Sequence, residues 1–505
     1  AGTQNITLQA DRDGDGTGAI TDGGGTIAMG GGDLLLLAGS GIGANPGQIE
    51  TTGLTDVAAS SSTGGIFLNN STSGDVNITT VTNSLGDTAT GLTTTSMGNI
   101  EVTNTIGSVT VSSASSTVAS GSIVLNASTD VMVNASLTTV GSGIRLQASN
   151  DVTSNASGAL SSSDGPIFLE ADFDSNSDGT ITYAATVDAG AGDVTATLAD
   201  TDGNITGVIS GTGGFVKTGA GTLALSAAND YTGQTTINVG RLNVNGSITS
   251  SVSIDGGILG GTGTVTGNVN MTANGDALSP GTSPGLLTVD GDVTFNAAGD
   301  FDVELDGLTA GTQHDQLQVD GASRSVTLNN AELVVTLGFT PAVNDNFTII
   351  NNTDAGTAVS GIFTALVSGN LQPLPESEAF LVGMRVFTIT YVGGDGNDVV
   401  LTHHGLVETM VQINGTDLEI EDVNGGVSDD TITIQSDTTN NRYIITDPNS
   451  TVSTGIVGSS RPTINQVIIP FASVAAVTNI DVLALAGADS LTVDFSLGNF
   501  SDTID

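Results

Sequence analysis

The segment GSIVLNASTDVMVNASLTTVGSGIRLQA, residues 121–148, begins and ends with the same short pattern. Each copy has a glycine turn and then a run in which apolar and polar side chains alternate, which predicts a strand with one buried face. Ile123, Ile144 and Ile167 occupy the same position of the pattern, so it recurs about every 22 residues, a period typical of solenoids. We therefore expect stacked coils that share one apolar core.

The same pattern runs through the first 210 residues of the chain. Further copies are GGIFLNN (64–70), GNIEVTN (98–104), GPIFLEA (165–171) and GDVTATLA (192–199). One coil cannot bury its inner face alone, but stacked coils form a continuous core of Val, Ile and Leu. The predicted fold class is all-β: a parallel β-helix or β-solenoid with short strands and Gly, Asn and Asp turns, of either hand.

The composition excludes several classes of function. The chain has 8 Lys and Arg residues against 53 Asp and Glu residues, a net charge of −45. This charge argues against nucleic acid and anionic membrane surfaces as partners, and it suits cations. Cysteine is absent, so neither disulfides nor thiolate chemistry is available. No apolar run approaches the roughly 18 residues of a membrane span.

The middle of the chain resembles a known family. KTGAGTLALSAANDYTGQTTINVGRLNVNG (217–246) is similar to the autotransporter-associated β-strand repeat of bacterial surface proteins, as are GGILGGTGTVTGNV (256–269) and FTITYVGGDGNDVVLT (387–402). The resemblance covers about residues 211–402. It implies a secreted or surface-displayed β-solenoid segment without catalytic residues. Residues 1–210 resemble, more loosely, filamentous-haemagglutinin-like repeats of bacterial exoproteins.

These patterns divide the chain into three predicted regions. Residues 1–210 are β-solenoid repeats with Asp-rich loops, and residues 211–405 are the autotransporter-associated repeat region. Residues 406–505 form a further β-rich repeat region. Because Ala1 and Asp505 both lie within repeats, we expect the sequence to be a processed or partial piece of a longer chain.

An Asp-rich loop near the start of the sequence is a candidate calcium site. Asp11, Asp13 and Asp15 alternate and are followed by Gly16, as in the first half of an EF-hand loop. Asp22 stands where such a loop places its last ligand. Alternating carboxylates place several hard oxygens around one cation, so this pattern predicts bound Ca²⁺. An ordinary turn of Asp and Gly is the alternative interpretation.

A second loop repeats this layout after the strand IFLEA (167–171). Its candidate ligands are Asp172, Asp174, Asn176 and Asp178. Both loops follow a strand instead of a helix, so neither is a true EF-hand. We expect them to occupy equivalent corners of the solenoid, where a structural Ca²⁺ neutralises clustered carboxylates and stiffens the acidic protein.

A third candidate is GGDGNDVVL (393–401), which matches the nonapeptide of calcium-binding β-rolls and would use Asp398 as a weaker ligand. A β-roll needs stacked copies of this sequence, because its ligands come from adjacent turns. Only one copy is clear, since GGVSDDTIT (425–433) and AGADSLTV (486–493) match in part. The predicted cofactor remains Ca²⁺ in a structural role.

Enzymatic motifs are weak in this sequence. GTSPG (281–285) spells a hydrolase nucleophile elbow, but Pro284 lacks the N–H that such an elbow contributes to its oxyanion hole. Lyases of acidic sugars need clustered basic residues, and here Lys and Arg occur singly. We predict that the protein is not an enzyme and has no catalytic residues. A carbohydrate-active β-helix enzyme, either a glycosidase or a lyase, is the alternative.

The sequence as a whole predicts an extracellular protein of a bacterial cell surface with a structural or adhesive function. A stalk, a filament and a surface layer all fit this description. The expected partners are further copies of the chain, assembled head to tail, or cell-surface glycans. Nucleic acid is not expected as a partner, and neither is a membrane span within this sequence.

Overall fold

The computed structural model describes residues 5–72, 74–174, 176, 178–354, 356–367, 370–423, 429–483, 488–500 and 503–504. The described residues form β-strands joined by turns, with one 3-10 helix at Phe471–Val474. None of the described helical structure is long and apolar enough to cross a membrane. The chain divides into two compact units, residues 1–269 and 270–505. The predicted regional boundaries near residues 210 and 405 stay predictions.

The first unit is a parallel β-solenoid whose coils contribute strands to three ladders. The first ladder contains Ile66–Asn70, Ile100–Asn104, Ile123–Ala127, Ile144–Ala148, Ile167–Ala171, Val194–Leu198, Phe215–Thr218, Thr235–Ile237 and Val252–Ile254. The second contains Val76–Ile78, Val109–Val111, Val131–Val133, Val152–Ser154, Ile181–Tyr183, Gly203–Ile205, Thr222–Leu225, Arg241–Val244 and Ile258–Gly260. The third contains Leu92–Thr94, Ser115–Ser116, Leu137–Thr139, Leu160–Ser162, Val187–Asp188 and Ile209–Ser210.

The first coils of this unit use longer strands, Thr26–Ala38 and Ile49–Ser61, which pair in parallel with each other. Ile6–Gln9 pairs with the end of the first of these. Ile49–Ser61 contacts all three ladders because it continues through two corners without a turn. The remaining strands of the unit are Thr80–Thr82 and Thr88–Thr90, which form an antiparallel hairpin, and the parallel pair Ser247–Ile248 and Thr264–Val265.

The register of the first ladder confirms the predicted period. Ile123 pairs with Ile144, and Ile144 pairs with Ile167, so equivalent residues of successive coils stack. In Ile144–Ala148, Ile144, Leu146 and Ala148 are buried, whereas the alternate residues are half-exposed. Alternation of this kind places one face of each strand in a shared core. The predicted β-solenoid class is therefore confirmed.

A column of glycines forms the corner that leads into the first ladder. This glycine column contains Gly64, Gly98 and Gly121, is interrupted by Ser142 in the next coil, and continues with Gly165, Gly192, Gly213 and Gly233. A Cβ placed on Gly121 would lie 2.1 Å from the carbonyl oxygen of Gly98, and a Cβ on Gly213 would lie 1.8 Å from that of Gly192. Both distances are shorter than any van der Waals contact, so the stacked backbones leave no room for a side chain at Gly121 or Gly213.

The second unit begins with strands that also pair mainly in parallel. These are Val269–Met271, Ala277–Leu278, Leu286–Val289, Val293–Thr294, Asp300–Leu305, Gln316–Val319, Val326–Thr327, Glu332–Leu337 and Asn346–Asn352. Antiparallel pairing follows in Phe363–Val367, Asn370–Leu374, Ala379–Val382, Arg385–Gly393 and Asp398–Leu406. The chain thus changes from coils to hairpins within this unit.

The end of the second unit contains two five-stranded sheets. The first has the strands Thr409–Asn414, Asp417–Asp422, Val452–Thr454, Asn479–Leu483 and Thr503–Ile504. The second has Thr431–Asp437, Arg442–Thr446, Ser460–Thr463, Gln466–Pro470 and Ser490–Asp494. Residues of both sheets share one apolar core that includes Leu418, Ile420, Ile432, Ile434 and Tyr443.

Candidate metal centres

The structure brings the carboxylates of the first predicted loop together. Asp11, Asp13 and Asp15 each offer an oxygen within 4.8 Å of the others. Hydrogen bonds from the Thr17 hydroxyl and the Thr17 N–H, at 2.6 and 2.8 Å, lower the pKa of Asp15 and keep it ionised. The Gly16 N–H donates to Asp11 Oδ2 at 3.1 Å. These three carboxylates could therefore supply hard ligands to one cation.

Asp22, the fourth predicted ligand of this loop, lies outside the group. Its Oδ1 accepts a hydrogen bond of 2.9 Å from the Gly24 N–H, as in an ordinary Asx turn. Ile20 separates Asp22 from the loop because it forms a bridge to Ile42 and so belongs to the solenoid ladder. Three of the four predicted residues of this loop are thus close to one another.

The second predicted loop forms a similar group. Carboxylate oxygens of Asp172, Asp174 and Asp178 lie within 4.8 Å of one another. The Asn176 N–H donates to Asp172 Oδ1 at 3.0 Å, and the Asn176 amide donates to Asp174 Oδ2 at 3.2 Å. Asn176 therefore orders the carboxylates, and its own Oδ1 accepts the Asp178 N–H at 3.2 Å.

The expectation that both loops occupy equivalent corners is wrong. The first loop begins after the strand Ile6–Gln9. This strand pairs with Thr26–Ala38, which places it in line with the second and third ladders. The loop ends at Ile20, which lies at the first ladder. The second loop leaves the first ladder at Ala171 and leads to the second ladder at Ile181. The strand before a loop does not identify its corner, because the longer strands of the first coils continue through corners.

Asp398 occupies the end of a hairpin turn between the antiparallel strands Arg385–Gly393 and Asp398–Leu406. Its Oδ1 accepts a 3.0 Å hydrogen bond from the Asn352 N–H. Burial raises the pKa of Asp398, the bond from Asn352 lowers it, and the nearby Asp395 raises it. The two partial copies at 425–433 and 486–493 lie partly outside the described residues, so calcium binding at Asp398 stays a prediction.

The GTSPG motif does not assemble a catalytic site. Ser283 Oγ donates a 2.5 Å hydrogen bond to Glu304, and no hydrogen bond within the described residues joins Ser283 to a histidine. His314 Nδ1 lies 3.2 Å from the Gly307 carbonyl, and His403 Nδ1 lies 2.9 Å from the Ala342 carbonyl. Each of these two ring nitrogens is therefore satisfied by the backbone.

Lys217 is a buried ionisable residue that the sequence analysis missed. Its side chain is 0% exposed, and its Nζ donates to the carbonyls of Thr218, Gly219 and Val239 at 2.8, 2.6 and 3.3 Å. Burial lowers the pKa of Lys217 to about 8. The signal was present, because Lys217 follows Phe215 at the inward period of its strand.

Comparison with known proteins agrees with the fold. Residues 215–244 match the Passenger-associated-transport-repeat family. An extracellular serine protease of Serratia marcescens is 34% identical over 153 residues, which cover 30% of this chain and 14% of that protein. The Adhesin BmaC autotransporter of Brucella suis biovar 1 (strain 1330) is 34% identical over 118 residues, or 20% of this chain and 3% of that protein. The chain therefore spans a small part of these relatives.

Among solved structures, the Haemophilus influenzae Hap adhesin aligns with 80% of this chain and 56% of its own, with 10% identity and a TM-score of 0.29. The chain is a β-solenoid, and its matching segments are similar to a passenger-associated repeat and to parts of an extracellular protease and of an autotransporter adhesin. The match of residues 215–244 to the transport-repeat family confirms the resemblance that the sequence predicts for this part of the chain.

Proposed function

We propose that this protein is a non-enzymatic adhesive stalk segment that holds a binding surface away from the bacterial cell. The observation that supports this role is the unbroken first ladder, in which each coil from Ile66 to Val252 pairs in parallel with the next. Such an array distributes stability over many nearest-neighbour contacts and suits a spacer. The adhesin relative supports the adhesive part of the proposal.

The surface that best suits a ligand is a groove of about 180 Å³ beside the second Asp-rich loop. Phe173 lies at this groove and is 62% exposed. Thr103, Asn126 and Gln147 present hydroxyl and amide groups along the same groove, and the Asn126 amide donates to Thr103 Oγ1 at 3.3 Å. An exposed ring beside planar amides suits the apolar face and the hydroxyls of a sugar. We therefore propose cell-surface glycans as the ligand.

Replacing Phe173 by alanine tests this proposal. Loss of the ring should weaken glycan binding roughly 2- to 10-fold, the range expected for an aromatic contact worth about 0.5–1.5 kcal/mol. Binding to a glycan array and adherence of protein-coated beads to cells provide the measurements. Leu85→Ala, which also truncates an exposed apolar side chain, is the matched control and should bind normally.

Equal glycan binding by the Phe173 and Leu85 variants would show that this groove is not the glycan-binding surface. Absence of binding to every glycan and cell type would count against adhesion itself. Turnover of any glycan above background would instead support the carbohydrate-active alternative. Sedimentation of the same preparations tests the other expected partner, a second copy of the chain.

We also propose that Ca²⁺ binds the two Asp-rich loops and stiffens the coils beside them. A ligand that binds only the folded state stabilises it by about 2.7 kcal/mol at a concentration 100 times its Kd. Millimolar calcium should therefore raise the melting temperature relative to EDTA, as measured by calorimetry. The double variant Asp13→Asn/Asp174→Asn should show a smaller rise, because each group loses one of its three carboxylates.

Asp22→Asn is the matched control for the loop variant, because its carboxylate lies outside the group at Asp11, Asp13 and Asp15. It should retain the full calcium-dependent rise in melting temperature. An equal rise in the wild type, the double variant and Asp22→Asn would show that both loops are ordinary turns that do not bind calcium. Loss of the rise in Asp22→Asn would show that Asp22 joins the bound ion after all.

A further inference from the structure

A set of acidic residues lies inside the two-sheet region at the end of the chain. In the strand Asp417–Asp422, Leu418, Ile420 and Asp422 occupy successive inward positions. Leu418 and Ile420 enter the apolar core, whereas Asp422 continues the same inward row and is 2% exposed. A carboxylate in this position is costly to bury unless a partner compensates its charge.

Two further carboxylates occupy inward positions on the opposite sheet. Asp430 directly precedes the strand Thr431–Asp437 and is 2% exposed, and Asp447 directly follows the strand Arg442–Thr446 and is 0% exposed. They are neighbours, because the Thr431 N–H donates to Asp447 Oδ2 at 3.2 Å. The Ser450 hydroxyl donates to Asp430 Oδ1 at 2.9 Å.

Hydrogen bonds connect Asp430 to the other sheet. Ser450 donates to Asp430, and the carbonyl of the next residue, Thr451, accepts a 2.9 Å hydrogen bond from the Thr409 N–H. Burial raises the pKa of Asp430 most, and the hydrogen bond from Ser450 lowers it. Asp447, Asp422 and Asp489 then raise it further, so every charged group that shifts the pKa of Asp430 is another carboxylate. Buried like charges oppose one another, so a cation bound among them would stabilise this region.

Thr409 is a separate observation that points to a ligand. It is 1% exposed, and its Oγ1 has no hydrogen-bond partner among the described residues. Thr409 pairs directly with Asp422 across antiparallel strands, so both side chains project from the same face of the sheet. A buried hydroxyl rarely remains unsatisfied in a native protein, which indicates that another group completes its coordination.

We propose that Asp422, Asp430, Asp447 and the hydroxyl of Thr409 bind one Ca²⁺ between the two sheets. All four side chains offer oxygen, the ligand that calcium prefers, and the ion would neutralise the charge that their burial concentrates. The carboxylate oxygens of Asp422, Asp430 and Asp447 do not all lie within 4.8 Å of one another, so calcium binding must draw them together. The site is separate in sequence from both Asp-rich loops.

The arrangement also gives the ion a structural role. Thr409 and Asp422 belong to one sheet, whereas Asp430 and Asp447 flank strands of the other. A bound Ca²⁺ therefore ties the two sheets together at the end of their common core. Without the ion, the same carboxylates repel one another at neutral pH, so folding of this region should depend on calcium.

The experiment uses the full chain carrying Asp13→Asn and Asp174→Asn, which weakens the loops as calcium sites and leaves the buried cluster intact. Equilibrium dialysis against micromolar CaCl₂, followed by elemental analysis, counts the ions that remain bound. We expect one ion per chain in this background and none after Asp430→Asn is added. Asp429→Asn, which removes the same charge from the exposed neighbouring residue, should keep the ion.

Thr409→Val provides a test that does not depend on removing a charge. In this isosteric variant, calcium affinity should fall by on the order of tenfold, because one oxygen ligand is lost. Its melting temperature in EDTA should stay the same or rise, because the unsatisfied hydroxyl is gone. A purely structural role for Thr409 would leave calcium affinity unchanged.

The proposal is overturned if the chain with the loop substitutions binds no calcium. It is equally overturned if Asp430→Asn and Asp429→Asn retain the same bound ion, or if Thr409→Val binds calcium with unchanged affinity. Any of these results would leave carboxyl groups that share protons as the explanation for the cluster. Failure of the loops to bind calcium would not affect this outcome, since the same loop substitutions are present throughout.

Discussion

Gly213→Ala is expected to destabilise the first unit by about 3 kcal/mol or more, the upper part of the range for overpacking a tightly packed site. The new Cβ would lie 1.8 Å from the carbonyl oxygen of Gly192 and 2.4 Å from its carbonyl carbon. Both atoms belong to the backbone of the preceding coil, so no side chain can rotate away. The two coils must separate at this corner and weaken the ladder hydrogen bonds on either side.

Urea denaturation followed by circular dichroism measures this loss. Gly25→Ala is the matched control, because nothing lies within 4 Å of the position its Cβ would take and its backbone has no positive φ. That variant should remain within about 0.5 kcal/mol of the wild type, as surface substitutions usually do. Equal stability of the two variants would show that the coils are not stacked as closely at the glycine column as the structure indicates.

Leu146→Asp should have the second large effect, a loss on the order of 5 kcal/mol, because it places an unpaired charge inside the core. Leu146 is fully buried and stacks between Leu125 and Leu169 of the neighbouring coils. The substitution therefore interrupts the inner row of the ladder in both directions. In an array stabilised by neighbouring coils, such a break should divide one unfolding transition into two.

Differential scanning calorimetry of Leu146→Asp and Gln147→Asp makes the comparison at adjacent residues. Gln147 belongs to the same strand but projects outward, so the same new charge there meets solvent. We expect the Gln147 variant to melt in one transition close to that of the wild type. A single unshifted transition in Leu146→Asp would contradict the assignment of this row to the core.

The strands of the solenoid could be predicted because their signal is local. Ile123, Ile144 and Ile167 begin strands of one ladder, and the spacing between them is the length of one coil. The corners could not be assigned in the same way. Whether a strand stops at a corner or continues through it, as Ile49–Ser61 does, depends on how the coils stack, which short patterns do not reveal.

The candidate site was predictable in part for a related reason. Asp11, Asp13 and Asp15 are close together in sequence, and the structure keeps their carboxylates close in space. Asp422, Asp430 and Asp447 are brought together only when two sheets pack, so no local motif marks them. Strict alternation in DLEIED does place Asp422 inward, which makes a charged residue in an apolar row a signal worth following.

The glycine column also affects how the length of this protein can change during evolution. Each coil of the solenoid contacts mainly the coil before it and the coil after it, and successive coils repeat the same corner. Duplication of one whole coil therefore lengthens the array by about 4.8 Å and leaves every other coil with the neighbours it requires. Insertions of other lengths keep the glycine at its corner only where the extra residues project between ladders, as the hairpin of Thr80–Thr82 and Thr88–Thr90 does.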